Sequence, residues 1–80
     1  MTETRADIHA EIERLKHRAE LTFAVCMENQ SSVLSLTHQG AKDALIEEHR
    51  VAALTYYEIF LDLNIHIGKL TRRLIDLSEA

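Results

Sequence analysis

Eighty residues with no proline, two glycines and a single cysteine make one domain, residues 1–80, that cannot close an internal disulfide. Thirteen acidic against nine basic side chains leave a net charge of −4, which argues against direct nucleic-acid or anionic-membrane contact, since both need clustered Lys and Arg. With 46% apolar residues and only four aromatics, Phe23, Tyr56, Tyr57 and Phe60, the composition suits long helices rather than strands and turns.

No apolar run approaches the length of a membrane span, and the start of the chain is polar rather than signal-like, so the expectation is a cytoplasmic protein. A compact globule of this size keeps roughly 4,900 Å² of surface, burying about 63% of what the unfolded chain exposes, and an elongated hairpin buries less. Chains this short normally need a disulfide, a metal or an oligomer. Cys26 is alone and no zinc-type Cys/His spacing is present, which leaves oligomerisation.

The first helix is expected from about residue 4 to 37, roughly 50 Å long at 1.5 Å per residue. Thr4, or Thr2 further out, can cap it, and Asp7 falls in the first turn where its charge favours the helix dipole. Ile8, Ile12, Leu15, Ala19, Phe23, Cys26, Gln30 and Val33 recur at three or four residues and form one narrow stripe. Glu28-Asn29-Gln30-Ser31-Ser32 is its weak point, because these side chains compete for backbone hydrogen bonds. Asn29 and Gln30 either specify helix register or mark a local break. Thr37-His38-Gln39-Gly40 is the one clear punctuation, with Gly40 suited to a left-handed helix end.

The second helix is expected from about residue 42 to 78. Its main face carries Leu45, Ile46, Ala52, Ala53, Tyr56, Tyr57, Ile59, Phe60, Leu63, Ile67, Leu70, Leu74 and Leu77, a sector wide enough for more than one neighbour. A further stripe, Val51, Leu54, Leu61 and Ile65, lies on the far side, with Glu58 inside it and Gly68 near its edge. The fold class is therefore all-α: an antiparallel hairpin of two long helices whose leftover apolar surface asks for assembly into a four-helix bundle. Val51, Leu54, Leu61, Ile65 and Gly68 are the expected interface.

Residues that might carry chemistry all have simpler readings. His9, Glu13 and His17 share one side of the first helix at i, i+4 and i+8, the geometry of a surface metal site or of a solvated ladder. A di-iron bundle needs Glu-x-x-His pairs, and Glu47-Glu48-His49 places its members on different faces. His49 projects onto the main apolar face. It can act as a pH-sensitive switch, or as a partly buried imidazole bonded to a tyrosine, Gln30 or a backbone carbonyl. Asp62 and His66 form a surface pair. Cys26 reads as a small buried hydrophobe, because no neighbour activates its thiol. Lys69, Arg72 and Arg73 complement the dipole near the second helix's end. The expectation is no metal, no cofactor and no enzymatic activity.

The stretch Glu48-His49-Arg50-Val51-Ala52-Ala53-Leu54-Thr55 resembles the His-Arg-x-Ala-x-Leu segment of Hha-type modulators that bind nucleoid proteins. It covers one tenth of the chain; the flanking sequence and the two long helices depart from that family. The overall plan is similar, in architecture alone, to small acidic hairpin chaperones of bacterial secretion systems. The first resemblance implies a regulator of a DNA-associated protein and the second a chaperone or co-chaperone. The primary expectation is a non-enzymatic adaptor or chaperone-like protein that binds itself, another helical protein or both. A metal- or cofactor-binding bundle is the remaining alternative.

Overall fold

A computed structural model describes residues 3–79 of the chain as two helices, α1 (Arg5–His38) and α2 (Asp43–Glu79), joined by residues 39–42. Both ends agree with the sequence expectation to within a residue. No strand occurs among the described residues.

α1 opens on a reciprocal cap. The Thr4 hydroxyl accepts from the Asp7 backbone N–H, and the Asp7 carboxylate accepts from the Thr4 N–H, each at 3.1 Å. Thr2, the other candidate cap, lies outside the described residues. The hydrogen bond from the Thr4 N–H, reinforced by the Thr4 side chain, holds the Asp7 carboxyl below its ordinary 3.8. Arg14 lowers Glu11 and Arg50 lowers Glu47 from 4.5 in the same direction, in each case chiefly through a side-chain hydrogen bond. A depressed folded-state value means stability that is present above the unfolded value and is lost as pH falls through the folded one. Helix melting at low salt should therefore move to lower temperature on acidification from about pH 5 to about pH 3. The combined variant Asp7→Asn, Glu11→Gln, Glu47→Gln should flatten that fall, and an unchanged slope would exclude these groups as its source.

α1 runs unbroken through Glu28–Ser32. The weak point holds because its polar side chains bond back along the helix rather than opening it. Asn29 Nδ2 donates to the Val25 carbonyl at 2.9 Å, and Ser32 Oγ to that of Glu28 at 3.1 Å. Thr22 and Thr37 bond back to Arg18 and Val33 in the same way.

The helix ends where the sequence expects. Gly40 takes φ +70°. The Gly40 N–H donates to Thr37 O at 3.2 Å and the Ala41 N–H to Leu36 O at 3.0 Å, a Schellman closure of the last carbonyls. α2 starts directly after it, the Lys42 carbonyl accepting from Leu45 and Ile46, with Asp43 in the first turn.

So tight a connection forces the helices antiparallel. Ile8, Ile12, Leu15 and Ala19 of α1 close on Leu63 and Leu70 of α2, with Phe60, Ile67 and Leu74 packed around them. Phe23 and Phe60 stack tilted with ring centroids 4.8 Å apart. The hairpin measures 59 × 20 × 14 Å, and its radius of gyration of 17.9 Å compares with about 11.6 Å for a compact domain of this length. It exposes 6058 Å², roughly 1,100 Å² more than the compact globule. A layer one helix thick has no second side to bury.

Candidate interaction surface

Among the described residues only eight apolar side chains are buried, while fourteen large ones stay exposed. That imbalance defines the site. Of the residues expected at an interface, Val51 is 50% exposed, Leu54 48%, Leu61 42% and Ile65 58%. Gly68 is exposed too, and a Cβ built on it meets nothing within 4 Å. At 100° per residue the four apolar side chains span about 80° of arc, centred about 150° or more from the direction of α1. α1 leaves all four exposed, and only Leu54, at the near edge of the arc, borders α1 residues across a groove.

The exposed apolar surface is wider than the sequence stripe. Tyr56, Tyr57, Ile59, Leu45 and Leu77, expected on the core face of α2, are exposed, as is Phe23 of α1. One helix covers only a narrow sector of another, and the ten residues around Tyr56 spread apolar side chains around much of the circumference. On one side a shallow groove of about 250 Å³ runs between the helices, lined by Cys26, Met27, Gln30, Arg50, Ala53, Leu54 and Tyr57. Met27 and Tyr57 carry the apolar surface from this groove across to Leu54 and the outer stripe. Met27 lies off the α1 stripe, so periodicity alone did not select it.

His49 is half-buried, and its Nδ1 lies 3.1 Å from Asn29 Oδ1, tying the helices together near the loop. The amide oxygen is an acceptor, so the tautomer protonated at Nδ1 donates here. The partner is Asn29 rather than a tyrosine, Gln30 or a backbone carbonyl. The sequence missed this because Asn29 stands beside the α1 stripe, whereas Gln30, within it, is exposed.

The basic cluster also differs from expectation. Arg72 pairs with Asp76 at 3.1 Å and Arg73 pairs with Glu3 across the open end of the hairpin. No basic residue stands in the last turn of α2, so these cations serve ion pairs rather than the helix end. His9 and Glu13 approach to 4.0 Å, both well exposed, and no three metal-ligating side chains converge among the described residues. Cys26 is buried and is one of the residues lining the groove. No described helix is long and apolar enough to cross a membrane.

The fold and surface define a two-helix antiparallel hairpin with an uncovered apolar flank. Comparison with known protein families, curated proteins and solved structures finds no match for this chain.

Proposed function

We propose that this chain is a non-enzymatic interaction module, an adaptor or chaperone-like protein that works by helix-on-helix contact within a larger helical assembly, such as a four-helix bundle or coiled coil. One observation carries the reading: the outer stripe of α2 joins Met27 and Tyr57 in a continuous exposed apolar surface. Monomeric soluble proteins seldom leave more than a few hundred Å² of contiguous apolar surface in water, and larger patches mark binding sites.

The test is the native mass of the untagged chain in extract of the cells that make it, by size exclusion and sedimentation. The wild type should travel in a complex, whether with itself or with another protein. Leu61→Glu combined with Ile65→Glu should release the hairpin at its own mass, while Glu13→Lys on the opposite helix should change nothing. Wild type and double variant both running as free hairpins would dispose of the reading.

A further inference from the structure

The geometry points to a second copy of this chain as the occupant of the outer stripe, its α2 lying antiparallel to the first about a two-fold axis level with Leu63. This inference rests on the reading of that stripe as a docking surface. Carried to its full length the stripe is Val51, Leu54, Glu58, Leu61, Ile65, Gly68, Arg72 and Ile75, spaced alternately by three and four residues without a break. That is the repeat of a helix seam that packs knobs into holes, and it runs for about 36 Å of α2. All eight residues are exposed.

The charged members of the repeat decide both the occupant and its direction. A parallel pair of α2 helices sets Glu58 against Glu58, Arg72 against Arg72 and Gly68 against Gly68, which places like charges in the seam and leaves a void. The antiparallel register removes each conflict. Leu61 of each copy packs against Ile65 of the other in the two central layers, and Val51 against Ile75 in the outer ones. Glu58 enters the space opposite Gly68, where a side chain would otherwise crowd it. Lys69 of the second copy stands beside that carboxylate. Arg72 lays its aliphatic stem over Leu54 and turns its guanidinium toward Glu58. Within the described residues of the hairpin neither Glu58 nor Lys69 forms an ion pair. Asp62 flanks the axis at the solvent edge, where repulsion between the copies is screened by salt.

Stable interfaces begin at about 1,200 Å² of total buried surface, and the seam offers each copy about 36 Å of exposed helix face to contribute to it.

The full purified chain should sediment as a dimer from about 5 to 100 µM, and Leu61→Glu should weaken association at least about 100-fold with helicity retained. Orientation is read by cross-linking, which also serves if Leu61→Glu unfolds. In a Cys26→Ala background, Leu61→Cys and Ile65→Cys proteins are mixed and oxidised. The expected product is the mixed Leu61→Cys/Ile65→Cys dimer, well above either self-linked dimer. Predominant self-linking of both variants would overturn the antiparallel arrangement, and a monomer over the whole concentration range would overturn the second copy. A purified monomer that nevertheless runs in a complex in cell extract would locate the failure in this inference and leave the docking surface to a different protein.

Discussion

Leu15→Ala should destabilise the hairpin by about 3 kcal/mol, within the 2–5 kcal/mol range for emptying a buried leucine site. Leu15 is 3% exposed and belongs to the buried cluster that the two helices share. Its neighbours are on straight, hydrogen-bonded helices that cannot collapse far into the gap, so transfer and cavity costs both apply. A domain of this length has only about 4–12 kcal/mol of total stability, and a core this thin places it toward the lower end. The matching control is Leu34→Ala. That leucine is 65% exposed and should shift stability by no more than about 0.5 kcal/mol. Urea unfolding followed by helix signal, at one fixed protein concentration, reads both, because self-association would make stability concentration-dependent. Equal losses for the two leucines would mean that the shared cluster is not the core.

The same contrast shows what the sequence could carry. Periodicity finds Ile8, Ile12, Leu15 and Ala19, because each lies on a regular helix facing one neighbour. It also finds the break at Gly40 and the exposed outer stripe of α2. It fails where a residue's fate depends on how much surface the neighbour can cover. Tyr56, Tyr57 and Ile59 look like core because they are large and at helical spacing, yet α1 is one helix wide and leaves them in water. Glu28–Ser32 reads as the weak point of α1 because propensity counts competition for the backbone. It is continuous because Asn29 and Ser32 turn that competition inward, to carbonyls one turn back. The Asn29–His49 contact joins residues twenty apart and needs the register of the hairpin, which no local pattern encodes.

The two glycines should respond to alanine in opposite directions. At Gly40 the backbone holds φ +70°, where a Cβ meets no neighbouring atom but crowds its own carbonyl, so Gly40→Ala should cost about 1–2 kcal/mol. Gly68 lies inside α2 with ordinary helical backbone, where alanine removes unfolded-state freedom and should add about 0.5–1 kcal/mol. Thermal unfolding of each variant against wild type reads the signs. The second substitution also discriminates between states of assembly. In the isolated hairpin the new methyl points into open solvent, so the gain is the full helix-propensity difference. In an antiparallel pair the same methyl meets Glu58 of the other copy, and part of the gain is lost to crowding. A gain that is present in dilute protein and shrinks as concentration rises would place another helix over Gly68. A constant gain would show that nothing approaches it.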